Sequence, residues 1–249
     1  MNSPCIVSGY ARSVDTTAGP GVLVRLRPDA GDRAADHAAL AELVGAARIR
    51  HRCLACGADD HGAPEAVLAD GGSTAGHVSL ARAGGWVALA ASSTGRVGVD
   101  IEEIARVAAS RFDDVAFDDR ERAMLARLDR LDRRDRRESE KGGDLVGPHA
   151  GQRMRARLWA AKEAILKAAG TGLRSDPRSL GIDLDLDPGA DPGDKPGADG
   201  RLRLARSAVP SIRPQAIQLH EIDAPPGLVG FICILPDDAG RQSFGSALE

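Results

Sequence analysis

Asp100 and Glu102 stand two positions apart in Val97-Gly98-Val99-Asp100-Ile101-Glu102, a stretch that alternates apolar residues with small or acidic ones. A β-strand points successive side chains to opposite faces, so Val97, Val99 and Ile101 are expected to supply a core face. Gly98, Asp100 and Glu102 then share the other face, with open space beside the glycine. Two such carboxylates sit roughly 7 Å apart at their backbones, near enough for their oxygens to converge. Hard divalent cations such as Mg²⁺ take oxygen ligands and keep waters and phosphate oxygens in the shell. The plainer reading is a solvated polar face on an edge strand.

A second group of chemically capable residues lies at 153–169, where the apolar spacing predicts a helix closed by Gly170. At ~100° per residue, Leu158, Ile165, Leu166 and Ala169 gather on one arc, with Lys162 in its middle. Glu163 and Lys167 border that arc, one turn apart. A lysine centred on an apolar stripe is costly unless its ammonium finds a partner or its stem carries it outward. A carboxylate between two ammonium groups suits a site that holds metal and polyphosphate together.

Cys53 and Cys56 have metal-ligand spacing, and His51 and His61 are near them in sequence. A zinc-binding module is therefore an alternative, although closed structural sites usually add a second such pair and none follows. Four cysteines in 249 residues are too few for a disulfide scaffold. Cys5 and Cys233 read as plain thiols.

The elements that must position these residues are legible in outline. Residues 22–26, 77–80, 86–91 and 97–101 alternate as strands, and the Ser-Ser-Thr-Gly-Arg link at 92–96 suits a hairpin turn between the last two. Residues 32–46 and 118–132 have helical spacing. A Cys/His/Gly-rich loop is expected at 51–64, and strands at 182–186, 202–204, 216–222 and 228–235. Residues 133–150 are charged and then Gly/Pro-containing, which predicts a mobile surface insertion, and 188–200 is too polar to pack. Strand-helix-strand material on both sides of about residue 105 predicts an α+β chain of two similar halves, 1–105 and 106–249, with a pseudo-twofold relation and the active site in the cleft between them.

The net charge of −3 gives no global basic field and argues against general nucleic-acid binding. No run of ~18 apolar residues is present to span a membrane. The first ten residues lack the basic and apolar regions of a secretory signal, so the cytoplasm is the expected location.

Taken together, Gly98-Val99-Asp100-Ile101-Glu102 and Trp159-Ala160-Ala161-Lys162-Glu163-Ala164-Ile165-Leu166-Lys167 resemble the paired G-[IV]-D-x-E and [FW]-x-x-K-E-[AS]-x-x-K signatures of the 4′-phosphopantetheinyl transferase superfamily. Gly170-Thr171-Gly172-Leu173 follows in keeping. The chain length is similar to the long single-chain, surfactin-synthetase-activating type, about twice the short trimeric one. Cys53-Leu54-Ala55-Cys56-Gly57 with His61-Gly62-Ala63-Pro64, and Ser79 through Trp86, are similar to two further stretches of that type. Arg82 stands where the family has a histidine that touches coenzyme A phosphate, Ala63 where it has a basic residue, and Ala81 where it has a serine.

This resemblance implies a holo-[carrier-protein] synthase that moves phosphopantetheine from coenzyme A to a serine of an acyl- or peptidyl-carrier protein, as in polyketide and nonribosomal peptide biosynthesis. It implies Mg²⁺ held by Asp100, Glu102 and Glu163, with Glu163 or its water as proton acceptor and Lys167 as an electrostatic catalyst. It also implies coenzyme A contacts from Arg82, Lys162, Lys167, Arg48, Arg52, His61 and Ser79. A single chain with both halves needs no second copy, so a monomer is expected. Carriers are expected to dock at 170–186, helped by Arg174, Arg178 and the arginines of 133–137. A non-catalytic relative that binds coenzyme A or carriers is the alternative.

Overall fold

The computed structural model describes residues 14–53, 56–59, 61–72, 76–139, 150–185 and 200–236. In chain order they form β1 (Val14–Gly19), β2 (Val22–Pro28), α1 (Arg33–Leu43), β3 (Arg48–Arg52), β4 (Ala63–Val67), β5 (His77–Ala83), β6 (Trp86–Ser92) and β7 (Gly95–Glu103). There follow α2 (Ile104–Ala109), α3 (Asp113–Ala116), α4 (Asp119–Ser139), α5 (Ala150–Ala168), β8 (Leu180–Asp185), β9 (Arg201–Ser207), β10 (Gln218–Ile222) and β11 (Leu228–Pro236). This is the expected mixture of helix and sheet. No described helix is long and apolar enough to cross a membrane.

Alternation in the strands builds the layers. The first sheet has the order β1-β2-β6-β5, all antiparallel. Val22, Val24, Leu26, Ala81, Ala83, Ala88 and Ala90 line one of its faces and pack on Val97, Val99 and Ile101 of β7 with Ile232 and Ile234 of β11. Its other face presents Val78, Val87, Leu89 and Ala91 to Leu40 and Ala41 of α1 and to Ile49 and Ala66 of the β3–β4 hairpin. Small alanines in β5 and β6 leave room for both neighbours, which suits a chain so poor in aromatics.

β7 differs from the expected hairpin. Residues 93–94 do make a short link, but β7 then pairs antiparallel with β11 along its whole length, in a sheet ordered β10-β11-β7. The apolar face of β7 is better covered by lying across the first sheet than beside it. The opposite faces of β7 and β11 are covered by α5, which is buried at Leu158, Ala160, Ala161, Ala164, Ile165 and Leu166. β8 and β9 form a separate antiparallel pair against the same helix cluster.

Further differences are local. β1, α2 and α3 are additional to the expected elements, and the expected loop at 51–64 is bracketed by the paired strands β3 and β4. Within the region read as an insertion, 133–139 are the last turns of α4 and 140–149 lie outside the described residues. The polar stretch at 188–200 is outside them too, apart from Gly200.

Candidate active site

β7 and α5 meet face to face, and Gly98 permits it. A Cβ on Gly98 would collide with the Ala164 carbonyl oxygen and the Ala168 amide nitrogen. The space expected beside Gly98 is therefore filled by the backbone of α5. The close approach sets Asp100 and Glu102 of β7 against Glu163 and Lys167 of α5.

Four side chains and one backbone carbonyl make the centre. Asp100 is 5% exposed. Its Oδ1 accepts a hydrogen bond from Lys167 Nζ at 2.6 Å, and the same ammonium donates to the Val99 carbonyl at 3.1 Å. Glu102 Oε1 accepts from Trp159 Nε1 at 3.0 Å. Trp159 is itself held against the Phe112 ring, with centroids 4.9 Å apart. Two further oxygens, Asp100 Oδ2 and Glu163 Oε1, are buried without a hydrogen-bond partner.

Burial pushes the Asp100 carboxyl up, opposed by the Lys167 ammonium. Burial, and then the charge of Asp100, push Glu102 up to about 7. The same two causes raise Glu163. All three acids are thus destabilised as anions by burial, and Glu102 and Glu163 also by the charge of Asp100. One ammonium cannot neutralise three carboxylates, so the arrangement calls for more positive charge. The carboxylates stand wider apart than a closed metal cage: among the described residues, the group of three potential ligands whose atoms all lie within 4.8 Å is Cys53, Cys56 and His61.

Lys162 corrects an expectation. It is fully buried, and its ammonium donates to Glu121 Oε2 at 2.6 Å, the Ala116 carbonyl at 2.8 Å and the Pro177 carbonyl at 3.0 Å. All three of its protons are used inside the fold, and none is offered to a ligand. Its partner Glu121 was missed. Glu121 and Asp118 form a reciprocal cap at the start of α4: Asp118 Oδ1 accepts the Glu121 amide at 3.0 Å and Glu121 Oε2 accepts the Asp118 amide at 2.9 Å. The signal was present as Asp118-x-x-Glu121, with Glu121 in line with Leu125 and Leu128.

Ser79 also corrects. Its hydroxyl is buried and accepts the Val99 amide at 3.0 Å, which ties β5 to β7 and leaves it structural. Arg82 lies on the opposite face of β5, toward α1, where it donates to Asp36 Oδ2 through Nε at 2.9 Å and also through Nη2. Arg27 binds the other Asp36 oxygen. Asp36 is 1% exposed; burial would raise its carboxyl, but the two guanidiniums outweigh that and hold it below the usual range. His37 and His51 meet beside this group at 3.1 Å, and burial, His51 and Arg82 lower His37. An acid one turn before Leu40 on an apolar stripe was the readable sign of Asp36.

Arg48 and Arg52 are exposed at the two ends of β3, and His61 lies in the following loop beside Cys56. The chain thus brings Asp100, Glu102, Glu163 and Lys167 together, gathers Arg82 with His37 and His51 on another face, and leaves Arg48, Arg52 and His61 on the β3–β4 hairpin.

Residues 96–195, from β7 through α5 to β8, match the model of the 4′-phosphopantetheinyl transferase superfamily. The matched segment contains all four residues of the carboxylate centre. No curated protein matches the chain. Transfer of phosphopantetheine to carrier proteins is the general activity that this match supports.

Proposed function

We propose that the protein is a holo-[carrier-protein] synthase of the long single-chain, surfactin-synthetase-activating type, which uses coenzyme A and Mg²⁺ to modify a serine of an acyl- or peptidyl-carrier protein. The observation that carries this reading is the pair of buried, unpartnered oxygens Asp100 Oδ2 and Glu163 Oε1 beside the raised carboxyl of Glu102. Buried polar atoms without partners are uncommon, and unpartnered acid oxygens in one neighbourhood suit a hard cation with oxygen ligands.

Asp100, Glu102 and Glu163 would hold the ion, which when bound supplies charge neutralisation at the pyrophosphate of coenzyme A. The serine oxygen of the carrier attacks the phosphorus that bears the pantetheine arm. An Oγ–P bond forms and the P–O bond to 3′,5′-ADP breaks. Glu163, a carboxylate raised by burial, would take the serine proton. Lys167 stabilises the charge that builds on the phosphate oxygens. Trp159 fixes the rotamer of Glu102 through its indole N–H.

Arg82 and Arg27, two guanidiniums sharing the single carboxylate of Asp36, leave fixed positive charge for the other phosphate of coenzyme A, with Arg48 and Arg52 at the rim. The carrier would dock after α5, where Leu173 is 64% exposed and Arg174 and Arg178 lie close by in the chain. Val115 is 62% exposed, and Arg178 reaches the carbonyl of its neighbour Asp114 at 3.4 Å. Exposed apolar residues with arginines close by in the chain suit an acidic helical partner.

Incubating the protein with coenzyme A, MgCl₂ and an apo-carrier, and weighing the intact carrier, tests the reading. A mass gain equal to one phosphopantetheine, lost in Asp100→Asn, supports it. No gain across a panel of acyl and peptidyl carriers contradicts it.

A further inference from the structure

The loop between β3 and β4 holds a cluster that the carboxylate centre does not use. Cys53, Cys56 and His61 offer ligand atoms that all lie within 4.8 Å of one another. His61 Nε2 is 3.3 Å from Cys56 Sγ. A tetrahedral zinc ion, with Zn–S about 2.3 Å and Zn–N about 2.1 Å, separates neighbouring ligand atoms by roughly 3.6–3.8 Å. The observed spacing is thus close to what the ion requires, and a small adjustment would meet it.

The backbone is shaped around the same three residues. The Cys53 amide donates to the Ala58 carbonyl at 2.8 Å and the Gly57 amide to the Cys53 carbonyl at 2.8 Å. These bonds hold Gly57 and Ala58 against Cys53, which keeps Cys56 within reach of it. Gly57, next after Cys56, has φ +77°, a left-handed conformation that favours glycine. Gly62 has φ +102°, and a Cβ there would collide with the Arg52 carbonyl. His61 is thereby brought back against the turn. His51 is committed elsewhere, with Nδ1 at 3.0 Å from the Gly62 carbonyl and Nε2 at 3.1 Å from His37.

We infer that Cys53, Cys56 and His61 form a three-ligand zinc site with solvent in the fourth position, separate from the carboxylate centre, that staples the two ends of the β3–β4 loop. Two thiolates and an imidazole are a soft donor set that selects zinc over magnesium. Cys56 and His61 are exposed while Cys53 is buried, so the fourth position faces solvent. The staple lies directly after Arg52 and directly before β4, and it holds that basic end of the hairpin in one place.

The full-length protein, stripped with a chelator and titrated with Co²⁺, gives the test. A thiolate-to-cobalt charge-transfer band that saturates at one ion per chain and is displaced by Zn²⁺ is expected. Cys56→Ser and His61→Ala, both at exposed positions, should each weaken or abolish it. Asp100→Asn should leave it unchanged, so the outcome is independent of phosphopantetheine transfer. The proposal is overturned if no band develops at saturating Co²⁺. It is equally overturned if either the Cys56→Ser or the His61→Ala protein titrates as the parent does.

Discussion

Lys167 Nζ sits 2.6 Å from Asp100 Oδ1, so the last turn of α5 is joined by an ion pair to the middle of β7. Asp100 is almost wholly enclosed, and Lys167 is the cation that offsets its burial. Lys167→Met keeps the stem and removes the charge. We expect transfer to fall by about 10²-fold or more, the usual cost of removing one electrostatic stabiliser. Asp100 then lacks its offsetting ammonium, so at a pH where it is ionised added divalent cation should stabilise this variant against heat more than it does the parent. Equal stabilisation of the two proteins would show that Asp100 and the ion do not share a site.

Lys162 serves the fold. Lys162→Met leaves the Glu121 charge buried and should cost about 3–5 kcal/mol, read from denaturant unfolding. Adding Glu121→Gln removes that charge while keeping oxygen for the Ile182 amide, bound at 2.9 Å. The double variant should recover much of the loss and should show an unaltered KM for coenzyme A. A KM raised tenfold in that folded double variant would return Lys162 to the ligand site.

Glu102 makes stability depend on pH when no cation is present. The folded protein holds this proton to about 7, against 4.5 for an ordinary glutamate. Between those values the native state binds more protons than the unfolded one, so stability falls as pH rises. The contribution is complete below about 4.5 and gone above about 7. Glu102→Gln should flatten this slope in thermal melts in the presence of chelator, and parallel slopes in the two proteins would refute it.

Gly98→Ala should damage the protein even though it adds only a methyl group. The new Cβ meets helix backbone rather than a flexible side chain, so α5 must move off β7. Overpacking of this kind costs about 1–3 kcal/mol, and more where backbone has to shift. Transfer should fall further than stability, because the same contact aligns Glu163 with Asp100. A variant with full turnover would mean that the spacing of β7 and α5 is not critical.

How far these residues could be read from the sequence depended on how local their causes are. The alternation at 97–102 and the helical arc at 153–169 are local patterns, and both elements formed as read, α5 starting one turn earlier at Ala150. The pairing of β7 with β11 was not legible, because the face that β7 covers is decided by β2, β5 and β6, far away in the chain. The same holds for Gly98, whose role is an approach by Ala164 rather than open space. Lys162 was rightly marked as a lysine needing a partner, but the partner comes from another helix, and only the Asp118-x-x-Glu121 cap pointed to it. Ser79 and Arg82 are adjacent in a motif yet face opposite sides of β5, which follows from strand alternation once the strand is extended to Ala83. Three acids near one another were foreseeable from spacing and resemblance together; their unpartnered oxygens were visible only in three dimensions.

Anomalous scattering from crystals grown with Mn²⁺ in place of Mg²⁺, and with coenzyme A, tests the metal centre most directly. The account predicts one strong manganese peak bounded by the carboxylates of Asp100, Glu102 and Glu163, with phosphate oxygens completing the shell. A map in which coenzyme A is bound and these three side chains surround no peak would contradict it.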